Sequence, residues 1–136
     1  MYQYLIENPV KFKNNFVASR NHATCRILIK RGSEHIVLKV EDIVLFYTEN
    51  KVVYLLDRSL CKYMCERNLS ELEGTLSPEM FFRANRKYIL NINFVKSYKA
   101  FEKVKLVIEF LLPGIEHQVI ISQETAPYFK KWISDF

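Results

Sequence analysis

The residues with most to offer chemically stand together near the middle of the chain. Arg83, Asn85, Arg86 and Lys87 lie between the aromatic pair Phe81-Phe82 and the apolar run Tyr88-Ile89-Leu90. A guanidinium forks to O6 and N7 of guanine, a carboxamide pairs with N6 and N7 of adenine, and an ammonium meets a phosphate as a point charge. Such donors read bases only when they are held still, and a short basic loop anchored by core residues on both sides is held still. Charge singles out the same region. The net charge is +5 and the pI about 9.1. Residues 81–105 hold Arg83, Arg86, Lys87, Lys96, Lys99, Lys103 and Lys105 against the single acid Glu102, whereas residues 1–80 are near neutral and 106–136 slightly acidic. One segment therefore carries the whole excess, as expected of phosphate binding. From charge alone, a solubilising surface would look the same.

No competing chemistry is legible. The chain has no Gly-rich phosphate loop, no metalloprotease-type histidine pair and no Gly-x-Ser-x-Gly elbow. Glu41-Asp42 reads as a capped turn before a strand, not as a catalytic pair. His22, His35 and His117 are scattered, so no metal site is expected, and no cofactor or enzyme activity. Three cysteines, Cys25, Cys61 and Cys65, make an odd number and argue against a disulfide framework. Cys61 and Cys65 fall at i and i+4 of an expected strand, and all three read as small buried hydrophobes. No apolar run approaches the ~18 residues of a membrane span, and the start lacks a basic stretch followed by an apolar one. A cytoplasmic protein without membrane contact is expected.

The elements that must position the basic loop are mostly strands. Short runs rich in Val, Ile, Leu, Tyr and Phe predict strands at 25–30, 35–40, 43–48, 52–57, 60–65, 88–92, 95–101, 105–111 and 118–121. Turn residues separate them, as in Arg31-Gly32-Ser33, Glu49-Asn50-Lys51 and Pro113-Gly114. Many short strands without long intervening helices imply a mainly β, antiparallel fold. Two helices are expected. Leu69, Leu72 and Leu76 mark one apolar face of the first, which either Ser70 with Glu73 or Asn68 could cap, and Ser77-Pro78 ends it. The second covers about 123–134, with Ser122 as N-cap, an apolar stripe of Phe129, Trp132 and Ile133, and Lys130 and Lys131 suited to the negative end of the helix dipole. With 136 residues, the chain fits one domain over 25–136, preceded by an arm or linker at 1–24.

Phe81-Phe82-Arg83-Ala84-Asn85-Arg86-Lys87-Tyr88-Ile89-Leu90-Asn91 resembles the signature of the LytTR (LytR/AlgR-type) DNA-binding domain of bacterial response regulators, Phe-x-Arg-x-His-Arg-Ser-Tyr followed by a strand with Asn. Four further pieces are similar in order: Val40-Glu41-Asp42-Ile43, the loop Tyr47-Thr48-Glu49-Asn50-Lys51, the helix from Asn68 to Glu73, and Ile120-Ile121-Ser122-Gln123-Glu124 followed by Phe129-Lys130-Lys131-Trp132. The likeness runs from about 26 to 133, and its loop and ending resemble Bacteroidetes members. It implies antiparallel sheets of about ten strands with little helix, and loops inserted into successive major grooves of duplex DNA. It also implies a dimer on direct-repeat sites and either an upstream receiver domain with its sensor kinase or a receiver-less relative of such regulators. Residue by residue, it puts Arg86 on the base-contacting position of the signature loop, with Asn85 in place of the usual His and Lys87 in place of the usual Ser. Gln123 and Glu124 fall on a second reading position where the family more often has Arg. A third lies near Val53, which offers only a methyl contact, so Asn50 and Lys51 are the better candidates there. Arg83 is either a DNA contact or a packing and salt-bridge residue. The resulting expectation is sequence-specific double-stranded DNA binding by a transcriptional regulator. The alternatives are a protein-interaction β module without direct DNA readout and a barrel that stacks single-stranded bases on its aromatic residues.

Overall fold

The computed structural model describes residues 23–135, so most of the expected 1–24 arm lies outside the described residues. Among the described residues, ten strands and two α-helices follow one another: β1 (Arg26–Arg31), β2 (Glu34–Lys39), β3 (Ile43–Glu49), β4 (Val52–Asp57), β5 (Lys62–Cys65), α1 (Leu69–Thr75), β6 (Phe81–Arg83), β7 (Tyr88–Asn91), β8 (Val95–Phe101), β9 (Lys105–Phe110), β10 (Ile120–Ile121) and α2 (Ala126–Ser134). Single 3₁₀ turns, Val40–Asp42 and Ile92–Phe94, lead into β3 and β8. All strand pairing is antiparallel and falls into three sheets: five strands in the order β5-β4-β3-β7-β6, three in the order β10-β9-β8, and the hairpin β1-β2.

The five-stranded sheet is the middle layer. Ile43, Val44, Leu45, Phe46 and Tyr47 of β3 are all buried, because both faces of this central strand are covered. One face, with Phe46, Leu55, Phe81 and Ile89, packs on α1 and on the inward residues Ile27 and Ile29 of the hairpin. The other, with Leu45, Tyr47, Leu56, Tyr88 and Leu90, packs on Leu106, Ile108, Val119 and Ile121 of the three-stranded sheet region and on Phe129 and Trp132 of α2. Two packed interfaces on one sheet give the domain its core.

Short-range chemistry sets the element ends. Asn68 caps α1: its Oδ1 accepts from the Glu71 amide at 2.8 Å, while the Glu71 carboxylate accepts from the Asn68 amide at 3.0 Å. This reciprocal box, not the Ser70–Glu73 pair, starts the helix. α2 begins at Ala126, three residues later than expected. Ser122 instead closes a turn, its Oγ accepting from the Thr125 amide at 3.3 Å and its carbonyl from the Ala126 amide at 2.9 Å. At the far end of the sheet, Asp57 Oδ1 accepts the amides of Ser59 and Cys61, both at 2.9 Å, and Leu60 takes φ 65°. The chain therefore turns there, and β5 starts at Lys62, not at 60. That overturns part of the cysteine expectation. Cys61 sits before the strand and is exposed, Cys25 is exposed ahead of β1, and only Cys65 is a buried hydrophobe.

Asn91 is fully buried at the end of β7. Its Nδ2 donates to the Ile43 carbonyl at 2.8 Å and, at 3.4 Å, to those of Val40 and Glu41, while its Oδ1 accepts from the Asn93 amide at 2.9 Å. The Asn that follows the basic segment is thus a core polar clasp between β7 and the entry to β3.

Candidate nucleic-acid interface

The basic loop hangs between β6 and β7, closed by a hydrogen bond from the Ala84 amide to the Tyr88 carbonyl at 2.9 Å. Two side chains hold its backbone. Arg83 Nε donates to the Asn85 carbonyl at 2.7 Å and its Nη2 to the Arg86 carbonyl at 3.0 Å, while Nη1 pairs with Glu73 of α1 at 3.1 Å. Asn85 Oδ1 accepts the amides of Lys87 at 2.8 Å and Tyr88 at 3.0 Å, and its Nδ2 donates to the Ile120 carbonyl at 2.8 Å. Arg83 and Asn85 are half-buried, whereas Arg86 and Lys87 are exposed. Of four residues that look alike as donors in the sequence, two are engaged by the protein and two are presented. Among the described residues, the Arg86 guanidinium makes no hydrogen bond or ion pair.

The loop has two neighbours. The Thr48 amide donates to the Lys87 carbonyl at 3.1 Å, which brings the β3–β4 turn beside the signature loop. Asn50 (φ 53°) and Lys51 (φ 66°) form the tip of that turn, the left-handed pair that fits a two-residue hairpin, and both are exposed. Val53 does not belong to this surface. It is 7% exposed, pairs with Cys65 and packs in the α1-side core, so it has no methyl to offer a base. On the other flank, the bond from Asn85 to Ile120 brings up the β10–α2 turn, where Gln123 and Glu124 are exposed. The Asn50-Lys51 turn therefore borders the loop that presents Arg86 and Lys87, and the chain leading to Gln123 and Glu124 is tied to that loop three residues earlier, at Ile120.

The charge excess is smaller in space than in sequence. Arg83, Lys99 and Lys105 pair with Glu73, Glu109 and Glu102 at 3.1, 3.0 and 3.1 Å. Arg86, Lys87, Lys96 and Lys103 have no such partner among the described residues. The hydrogen bonds from Ser97 and Lys99 hold the Glu109 carboxyl below its usual range.

Beneath the loop lies a cluster that the scattered histidines did not announce. Tyr88 Oη and His117 Nδ1 are 3.0 Å apart, and the His117 ring lies 4.3 Å from that of Tyr47. Burial, reinforced by the Lys87 charge, pushes the His117 pKa down, and burial pushes those of Tyr88 and Tyr47 up. The sequence carries no local signal for it, because Tyr47, Tyr54 and Tyr88 stand on three different strands and meet only as cross-strand neighbours.

A sandwiched antiparallel sheet that offers a clamped basic loop and two flanking turns defines a β-built nucleic-acid-binding module. The chain belongs to the LytTR family: the family described as the LytTr DNA-binding domain matches residues 33–134. It is similar to the transcriptional regulatory protein NatR of Bacillus subtilis, with 26% identity over 107 residues, covering 79% of this chain and 45% of that one. The chain thus spans less than half the length of that relative. Its fold matches the solved LytTr DNA-binding domain of a Bacillus cereus response regulator with a TM-score of 0.71 at 20% identity, covering 82% of this chain and 99% of the other. Both relatives come from Bacillus, so the likeness to Bacteroidetes members rests on the sequence alone. The hairpin strand β1 lies ahead of the matched residues but contributes Ile27 and Ile29 to the core, and the Thr24 amide donates to the Thr75 carbonyl at 2.8 Å. Among the described residues, no helix is long and apolar enough to cross a membrane.

Proposed function

We propose that this domain binds duplex DNA sequence-specifically as the output element of a transcriptional regulator, with Arg86 reading a base edge. The carrying observation is that Arg86 is exposed on a loop whose backbone is fixed at four points by Arg83 and Asn85. A loop backbone already fixed has no ordering left to do on binding, and the planar guanidinium fork matches guanine directly. Lys87 and Lys51 contact phosphate, while Asn50 and Gln123 supply amides from the flanking turns. Glu124 opposes phosphate and can accept from cytosine N4. The three turns enter successive stretches of major groove. Membership of this family supports the duplex-binding reading and gives none to the interaction-module alternative. On the same family grounds, the protein works as a dimer on direct repeats, in the cytoplasm, downstream of a receiver domain and a sensor kinase, with residues 1–24 as the connecting arm.

Selection from random duplexes at moderate salt tests this reading. A recurring motif whose enrichment depends on Arg86 is the expected result. No enriched motif, or a single strand that outcompetes the duplex, would overturn it.

A further inference from the structure

The loop that carries Arg86 belongs to the five-stranded sheet, and the turn that carries Gln123 follows β10 of the three-stranded sheet. No strand ladder joins these two sheets. Their relative offset is therefore set by side-chain packing and by individual side-chain bonds across the interface. At the end that presents the exposed donors, two such bonds cross: Tyr88 Oη meets His117 Nδ1 at 3.0 Å beneath the loop, and from the loop itself Asn85 Nδ2 donates to the Ile120 carbonyl at 2.8 Å. The same side chain is tied back by Oδ1, which accepts from Lys87 and Tyr88 at 2.8 and 3.0 Å. Asn85 can therefore neither rotate towards a ligand nor release Ile120 without breaking the turn that shapes its own loop. Beyond Ile120 the path to Gln123 is short and stiff: Ile121 is fully buried, and Ser122 closes the turn into α2.

We infer that Asn85 is not a base reader but a positioning residue: a brace that fixes the distance between the Arg86 loop and the Gln123 turn, so that both engage one DNA face together. This rests on the duplex-binding reading above. Two groups held at a fixed separation bind as one ligand, whereas two that drift pay the ordering cost separately. The adenine-type pairing needs Oδ1 or a re-aimed Nδ2, and it is unavailable while Oδ1 accepts two loop amides and Nδ2 is turned to Ile120.

Asn85→Ser is the informative variant. A serine hydroxyl can still accept the loop amides, as Ser does in turns, but is too short to reach Ile120. Amide shifts and hydrogen exchange are measured on the free protein, and affinity is measured for the selected site and for each single-base-pair variant of it. In the free variant, amides 120–125 should shift and exchange faster while the strands keep their protection. Affinity for the selected site should fall about tenfold, near the worth of one hydrogen bond. The loss should be spread over the base pairs that depend on Arg86 and on Gln123, with the preferred base unchanged at each. In the Asn85→Ser background, Gln123→Ala should cost less than it does in the parent chain. Loss or switching of preference at a single base pair would make Asn85 a reader and overturn the brace. Unchanged amides at 120–125 in the free protein would overturn it whatever the DNA results. Failure of the parent reading would look different, since the unmutated chain would then select no motif.

Discussion

Residue type names a chemistry, but partners decide whether it is available. Arg83, Asn85, Arg86 and Lys87 are one polar cluster in the sequence. In the structure, two of them stabilise the loop and two face solvent. That split could not be read in advance, because the amide that would pair with adenine pairs equally well with the Ile120 carbonyl. Arg86 is singled out by the family resemblance, which puts it on the base-contacting position of the signature loop; residue type alone does not separate it from Arg83, whose guanidinium finds three internal acceptors. Arg86→Ala is expected to weaken binding to the selected site by about 1–3 kcal/mol and to relax the preference at its own base pair. Lys87→Ala should cost less, and evenly across sequences. Fluorescence anisotropy on matched and single-mismatch duplexes separates the two. His117 makes a second prediction at this scale. Burial lowers its pKa in the folded state from the ordinary 6.5, so the unfolded chain binds more protons just below that pH. The corresponding stability is fully present above pH 6.5 and is lost as pH falls through the lowered folded value. Melting temperatures should therefore drop on acidification in that window, ahead of carboxylate titration, and His117→Asn should flatten this part of the profile.

At the scale of elements, the sequence was most informative where a strand alternates or runs apolar, and least where a single side chain ends it. The expected strands at 52–57 and 95–101 match β4 and β8 residue for residue. β6 escaped notice because three residues, Phe81, Phe82 and Arg83, are too few to show a period. The expected strand at 60–65 ran too far towards the N-terminus because the Asp57 turn is made by a carboxylate and two amides, which no periodicity reports. Asn91 belongs to the same class. Its amide satisfies carbonyls in a fully buried corner between β7 and β3, so Asn91→Ala leaves the Ile43 carbonyl without its 2.8 Å donor. Stability should fall by about 1–3 kcal/mol, the cost of an orphaned buried acceptor. A urea titration reads this directly. An unchanged slope with a lower midpoint would locate the effect in the native state.

The layering of the whole molecule was legible only in part. Continuous burial of β3 follows from its apolar run, but which hairpin covers which face depends on pairings such as β3 with β7, whose residues lie some forty positions apart. The same distance in sequence misplaces charge. Glu73 and Glu109 lie outside the basic segment yet neutralise Arg83 and Lys99, and Glu102 neutralises Lys105 within it. Of the seven basic residues in this row of twenty-five, only Arg86, Lys87, Lys96 and Lys103 are without a carboxylate partner among the described residues. This can be tested through the salt dependence of binding, because each phosphate neutralised contributes about −0.9 to the slope of log K against log salt. Lys87→Ala should make that slope shallower by about 1. Lys99→Ala and Lys105→Ala remove cations already engaged by a carboxylate, so they should make it shallower by less than Lys87→Ala does. If the proposed interface holds, Glu124→Gln should strengthen binding, most at low salt, because it removes an exposed anion from the end of the molecule assigned to phosphates. Equal slope changes for Lys87 and Lys99 would show instead that the DNA senses the linear charge of the segment, and that the exposed face extends along β8.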